Sequence, residues 1–244
     1  MTEPTKYNIL ITGGAGYLGT HLVMQFLKNN LVKERLVVYS RDELKQFDLK
    51  IKTHDDSRVK CIIGDVRDQD RLEEVMKNVD LVIHAAAMKH VNICEENPSE
   101  CVKTNIHGTE HVLRAAKSSG VKQFIFISTD KAVEPCSVYG DSKQVGEKLV
   151  MQANTSDFET VVLRLGNLIG SSGSIVDKLK KQGENQVFHV HNPGITRFAD
   201  SLENAWTMLA KAVGGHYGGC VIISKLRAVH ILDLAQCLAE EVRV

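Results

Sequence analysis

The chain has 244 residues, and its 30 Lys and Arg balance 30 Asp and Glu. That length suits one large domain with a small appendage, at roughly 150 residues per domain. Zero net charge excludes a broadly cationic nucleic-acid binder, and no apolar run approaches the roughly 20 residues of a membrane span. The N-terminus, Met1 to Tyr7, is polar and leads into a strand, so no secretory leader is expected there. Six cysteines (Cys61, Cys94, Cys101, Cys136, Cys220, Cys237) are scattered without a CxxC pair, which reads as free thiols in a cytoplasmic setting. The ten histidines show no metal-ligand spacing, and His189-Val190-His191 reads as a polar strand end.

Short apolar runs alternate with longer amphipathic ones. Strands are expected at Asn8–Thr12, Leu36–Tyr39, Val59–Ile63, Leu81–His84, Gln123–Ser128, Thr160–Leu165 and Cys220–Ser224. Most are continuous rather than alternating, the pattern of strands buried on both faces. Helical periods fall between them at Gly19–Asn29, Gln69–Lys77, Pro98–Ser118 and Val138–Asn154. This order predicts an α/β fold, a doubly wound parallel sheet of Rossmann type. The regular alternation weakens after Gly166. Residues 1–166 are read as the cofactor-binding domain and 167–244 as a small substrate-binding part interleaved with the last strand. In that part Gly and Ser cluster at Gly170–Ser174, and helices are expected at Ile175–Gly183, Ser201–Val213 and Ile231–Val242.

The first strand ends in Thr12-Gly13-Gly14-Ala15-Gly16-Tyr17-Leu18-Gly19 and a helix follows at once. A glycine turn between strand and helix lets the backbone approach a pyrophosphate, and the helix N-terminus offers free N–H groups. Gly13, Gly16, Tyr17, Leu18 and Gly19 are therefore expected to cradle a dinucleotide. The second strand ends at Ser40-Arg41, and Arg41 stands 22 positions after Gly19. An arginine there suits the 2′-phosphate of NADP, whereas NAD binders usually place an acid. Asp42 is expected to start the next helix. Asp65 and Val66 follow the third strand, where Asp65 can accept from an adenine amino group, and Asp68 is the better helix cap. Ala85, Ala86 and Ala87 leave room for a flat cofactor beside the fourth strand end.

The fifth strand ends Ser128-Thr129-Asp130-Lys131, and Tyr139 and Lys143 follow at i and i+4. That spacing shares one helix face, so Lys143, with the positive nicotinamide ring of a bound cofactor, can favour the phenolate that makes Tyr139 a general base. Asp130 and Lys131 pair an acid with an amine, the two functions that elimination of water from a sugar needs.

These residues resemble the extended short-chain dehydrogenase/reductase superfamily, and more closely its inverting UDP-N-acetylglucosamine 4,6-dehydratases. The similar stretches are ITGGAGYLGTHLV, VVYSRDELKQ, IIGDVRD, LVIHAAAMKHV, KTNIHGTEHV, ISTDKAVEPCSVYGDSK, VVLRLGNLIGSSGSIV and GITRF. The subfamily resemblance rests chiefly on SRDE, MKHV and STDKA. It implies an NADP-dependent lyase of polysaccharide biosynthesis. Thr129 would bind substrate, Tyr139 would take the sugar O4 proton, Lys131 the C5 proton, and Asp130 would protonate the leaving C6 hydroxyl. Lys143 would hold the nicotinamide ribose and tune Tyr139. Asn105 would serve near the cofactor as a structural and water-binding residue. Lys89, Asn167, Ser174 and Arg197 would contact the substrate, Arg197 through a phosphate. The resemblance also implies a longer C-terminal part than this chain carries, and a homo-oligomer packed through the helices Pro98–Ser118 and Val138–Asn154. Two other readings stay open: a UDP-sugar 4-epimerase on the same scaffold, and a non-catalytic NADP-binding regulatory module.

Overall fold

Strands of near-continuous Val, Ile and Leu cannot leave either face in water, and the fold covers both. A computed structural model describes residues 5–171, 174, 177, 187–190, 192–238 and 241–243. Seven strands form the main sheet: β1 (Tyr7–Thr12), β2 (Val32–Ser40), β3 (Val59–Ile63), β4 (Leu81–His84), β5 (Gln123–Thr129), β6 (Glu159–Leu165) and β10 (Cys220–Ile223). Their order is β10-β6-β5-β4-β1-β2-β3, and every neighbouring pair is parallel. The expected doubly wound sheet is therefore the sheet observed.

Alternate residues of each strand enter opposite layers. Leu10, Val82, Phe124, Phe126 and Val162 pack on one face against α3 (Gln69–Val75), α6 (Gly108–Ser118) and α7 (Val138–Ala153). Ile9, Ile11, Ile83, Ile125 and Leu163 pack on the other against α1 (Tyr17–Lys28), α2 (Glu43–Lys52) and α8 (Leu202–Ala212). Phe26 of α1 is fully buried there and meets the Trp206 ring of α8 edge-on at 5.2 Å. Because all seven strands run the same way, their carboxyl ends share one edge of the sheet. Order reverses between β1 and β4, the switch point where such sheets bind ligands.

Several elements differ from expectation. Helix α2 was legible only through its cap, Asp42, which accepts from the Lys45 N–H. Its apolar residues Leu44, Phe47 and Ile51 face solvent, while Gln46 and Leu49 are buried, so only part of its apolar set faces the core. The helix expected at Pro98–Ser118 is real but not uniform. A short α4 (Val91–Glu96) precedes α5 (Pro98–Cys101), and a π-helical segment, Val102–His107, joins α5 to α6. The wider turn lets Asn105 face inward, where its amide binds both backbone groups of Met88.

The segment after Gly166 is more strand-rich than expected. β7 (Asn167–Leu168) and β11 (Arg227–His230) flank β9 (Thr196–Asp200), parallel and antiparallel respectively. The helix expected at Ile231–Val242 is shorter. It is α9 (Ile231–Leu238), and β12 (Glu241–Arg243) then pairs in parallel with β8 (Val187–His189). The β-branched Val242 favours extended backbone over a continued helix. Most of the helix expected at Ile175–Gly183, and His191 of the His189–His191 stretch, lie outside the described residues. The six cysteines are free thiols. No described helix is long and apolar enough to cross a membrane, and no metal-binding cluster occurs among the described residues.

Truncating Phe26 to Ala removes the ring that ties α1 to α8. Its loss should cost about 3–5 kcal/mol of folding stability. Urea unfolding of the variant measures it, and a loss below about 1 kcal/mol would contradict this packing.

Candidate active site

The turn after β1 is shaped by close backbone approach. Gly13 has φ +68° and its N–H bonds the Tyr39 carbonyl at 2.8 Å. A side-chain carbon at Gly13 would stand 2.9 Å from the Ala86 nitrogen, and one at Gly19 only 2.5 Å from the Gly13 carbonyl oxygen. Glycine is thus required for this turn to lie between β4 and α1. Helix α1 starts at Gly16 with no side chain capping its first N–H groups. Free N–H groups at a helix start, behind a turn this tight, fit a pyrophosphate. Tyr17 and Leu18 open that helix, and the Tyr17 hydroxyl donates to the Ile169 carbonyl at 2.7 Å. That bond ties the turn to the Gly170 loop.

The ends of β2 and β3 bring two arginines to one carboxylate. Ser40 ends β2, and Arg41 beside it lies 3.6 Å from Asp65 and is exposed. Arg67 grips the same carboxylate through its backbone and guanidinium. Burial alone would raise the Asp65 carboxyl, but the Arg67 hydrogen bonds and the Arg67 and Arg41 charges hold it below the usual range. Val66 is buried against Gly108, and Asp68 rather than Asp65 caps α3. Ala85, Ala86 and Ala87 line the loop after β4, with the Ala85 N–H on the Thr12 carbonyl and the Ala86 N–H on the Thr12 hydroxyl.

A buried polar chain that the sequence reading missed runs behind this loop. His84 Nδ1 accepts from the Thr12 hydroxyl at 2.6 Å, and Nε2 donates to Thr109 Oγ1 at 3.0 Å. Those roles follow because Thr109 itself donates to the Asn105 carbonyl at 2.6 Å. Burial and the Lys143 charge push His84 down to about 3, so it is neutral. Asn105 continues the chain to Met88 and to the Ser142 hydroxyl of α7. Every polar atom of the Asn105 side chain is bound by protein, which makes it a structural link. The signal was present: His84 is the lone polar residue at the end of the buried run Leu81–Ile83.

The chemistry-bearing residues gather at the ends of β5 and β6. Thr129 is buried, donates to Asp130 Oδ1 at 2.9 Å, and shares a hydrogen bond with the Tyr139 hydroxyl. Lys131 Nζ lies 3.0 Å from Asp130 Oδ1 and 2.9 Å from Asn167 Oδ1. Asn167 opens β7, and its amide also donates to Asp130 Oδ2 at 3.4 Å and to the Phe198 carbonyl at 2.9 Å. Asp130 and Lys131 thus form an ion pair, but a shared partner on the next strand organises it.

Lys143 was expected to favour the Tyr139 phenolate together with the positive ring of a bound cofactor. In the chain alone its ammonium sits 3.9 Å over the Phe126 ring, and burial pulls it down to about 7 despite the Glu147 charge. Tyr139 is pushed up to about 12 by burial, which outweighs the Thr129 hydrogen bond, and by Asp130 and the neighbouring Cys94 and Cys101. Glu147, one turn beyond Lys143, is itself clamped by Arg164 at 2.8 and 2.6 Å and by Ser128 at 2.5 Å. The other residues expected at the substrate lie further along the chain. Burial lowers Lys89 while the Asp177 charge opposes this, and Ser174 accepts from the Asp177 N–H. Arg197 is exposed on β9 and donates to the Thr196 carbonyl. Neither Ser174 nor Arg197 makes a recorded bond to the Asp130–Lys131 cluster among the described residues.

The sequence profile of the family described as polysaccharide biosynthesis protein matches residues 9–244. The chain belongs to the polysaccharide biosynthesis protein family. It is 42% identical to an inverting UDP-N-acetylglucosamine 4,6-dehydratase of Campylobacter jejuni, over 96% of this chain and 71% of that one. It is 39% identical to a UDP-glucose 4-epimerase of Rickettsia bellii, over 94% and 69%. Its fold matches the X-ray structure of Pen from Bacillus thuringiensis with a TM-score of 0.93 at 33% identity, covering 99% of this chain and 80% of Pen. The relatives that this chain resembles are thus named both for water elimination and for epimerisation.

The Lys143 environment gives a testable sign. Its ammonium is held below the usual lysine range, so the folded chain sheds this proton before the unfolded chain does. The Lys143 contribution to stability therefore rises with pH from about 7 towards the ordinary lysine value of 10.5. In cofactor-free protein, Lys143→Met should melt above the parent at pH 6, with a margin that shrinks as pH rises to 10. Thermal melts across that range test it, and a variant that melts lower at pH 6 would show the reverse linkage.

Proposed function

We propose that this protein is an NADP-dependent UDP-N-acetylglucosamine 4,6-dehydratase that inverts C5. The observation that carries the reading is the Asp130–Lys131 pair, 3.0 Å apart at the end of β5 and joined through Thr129 to Tyr139. Elimination needs a base for the proton next to a ketone and an acid for the departing hydroxyl, and this pair supplies both. Epimerisation at C4 needs neither.

Gly13, Gly16 and the α1 N-terminus would hold the pyrophosphate, and Arg41 the 2′-phosphate of NADP. When bound, the nicotinamide supplies hydride acceptance at C4 and its return at C6. Tyr139, raised by burial in the chain alone, would reach its phenolate beside the positive nicotinamide ring and take the O4 proton. Lys143 would hold the nicotinamide ribose. Lys131 takes the C5 proton, which the 4-ketone has made acidic. Asp130 protonates the C6 hydroxyl, which leaves as water. C5 regains a proton on its opposite face, so two protons leave the sugar, one is lost with the hydroxyl as water and one returns to C5. Thr129 positions the substrate, while Lys89, Ser174 and Arg197 would meet the uridine diphosphate.

The epimerase reading rests on the Rickettsia relative. Mass spectrometry of UDP-N-acetylglucosamine incubated with protein and NADP separates the two. The dehydratase yields a product lighter by one water, and a product of unchanged mass overturns it. Asp130→Asn and Tyr139→Phe should each lower turnover by about 10²–10⁴-fold. A second measurement addresses the cofactor. Arg41→Ala should weaken NADP at least about tenfold and leave NAD within about twofold, read by fluorescence titration. Equal losses for both would remove the arginine argument.

A further inference from the structure

The resemblance placed Asn167 against the substrate's uridine diphosphate, yet both ends of its amide are engaged by protein. Nδ2 donates to the Phe198 carbonyl at 2.9 Å. A carbonyl can only accept, so this bond fixes which end of the amide carries the hydrogens. Oδ1 must then face Lys131, whose Nζ it meets at 2.9 Å. The same lysine nitrogen meets Asp130 Oδ1 at 3.0 Å.

The count of donors gives this arrangement its meaning. A neutral lysine amine has two N–H groups and one lone pair. Asp130 Oδ1 and Asn167 Oδ1 are two acceptors, one for each N–H. We infer that Asn167 is a positioning residue that makes Lys131 a directed base: its amide oxygen takes the second N–H and leaves the lone pair as the part of the amine turned to the sugar C5. The amide has a second effect on Asp130. Oδ1 already accepts from Thr129 and Lys131, whereas among the described residues Oδ2 has only the 3.4 Å contact from Asn167 Nδ2. Oδ2 is therefore the oxygen that carries the acid proton to the leaving hydroxyl.

Neutrality of Asn167 matters as much as its shape. Lys131 must give up its ammonium proton before it can take one from carbon. The titratable groups around it among the described residues are Asp130 beside it and Tyr139 of α7, linked through Thr129. β7 contributes the neutral amide, and β9 contributes the Phe198 carbonyl and the buried Asp200 carboxylate, which is occupied by the Gly166 and Ser201 N–H groups and the Asn204 amide. A second carboxylate in place of the amide would hold the ammonium.

This inference rests on the dehydratase reading, and the experiment separates the two. The steady-state rate of 4-keto-6-deoxy product formation is measured from pH 5.5 to 9.5 with saturating NADP, for the parent, Asn167→Ala and Asn167→Asp. Asn167→Ala should lower kcat at least about tenfold and change the KM for UDP-N-acetylglucosamine by less than about threefold. Asn167→Asp, which keeps the shape, should move the rising limb of the kcat profile about one unit or more to higher pH. A merely structural role would not move that limb. A raised KM with unchanged kcat would make Asn167 a substrate contact and overturn the inference. So would an unshifted limb in Asn167→Asp. If the parent loses water but the variants behave like it, only the role of Asn167 fails. If the parent interconverts epimers without losing water, the dehydratase reading fails and the role of Asn167 with it.

Discussion

Two-sided burial of the central strands is the constraint on which everything else depends. β1, β4, β5 and β6 carry apolar side chains alternately into both layers, so each needs helices above and below. Covering both faces with one chain requires crossovers, and crossovers make the strands parallel. Parallel strands bring every carboxyl end to one edge. Thr12, Ser40, His84, Thr129 and Leu165, distant in sequence, thereby end their strands side by side. The loops that leave that edge carry the glycine turn, Arg41, the alanine stretch, the Asp130–Lys131 pair and Asn167. The site is a consequence of how the core had to be covered.

Much of this was legible in the sequence because the relevant signals are local. All seven strands of the main sheet were visible as apolar runs, and the glycine turn as a turn between strand and helix. What escaped the reading was set by partners far along the chain. Helix α2 hides its amphipathicity because Leu44, Phe47 and Ile51 point to water. The π-helical turn depends on Asn105 finding Met88 and Ser142. The short strands after Gly166 exist only because they pair with one another, and two- to five-residue segments leave little periodicity to detect. The site residues Asp130, Lys131, Tyr139 and Lys143 were all named from spacing. Asn167, which meets the first two in the fold, was read as a substrate contact, because nothing local shows that the turn from β6 into β7 carries its amide back to the end of β5.

The electrostatics of the site are set by burial more than by its charges. Tyr139 is pushed up to about 12 and Lys143 down to about 7, each towards its neutral form. The lysine therefore does not prepare the tyrosine by itself. In the proposed function, the missing positive charge arrives with the nicotinamide, so the base becomes competent only when the cofactor is in place. The polar chain from Thr12 through His84 and Thr109 to Asn105 and Ser142 ties the glycine turn to the tyrosine-bearing helix. It is fully satisfied and neutral, which allows it to be rigid without an unpaired buried charge.

The central claim is that the strand-end pair performs elimination through C5. Nuclear magnetic resonance of the product formed from UDP-N-acetylglucosamine in deuterium oxide, with NADP present, tests it most directly. The account predicts a 4-keto-6-deoxy sugar with deuterium at C5 and the opposite configuration there. A product with hydrogen retained at C5, or with the substrate's configuration at that carbon, would contradict it.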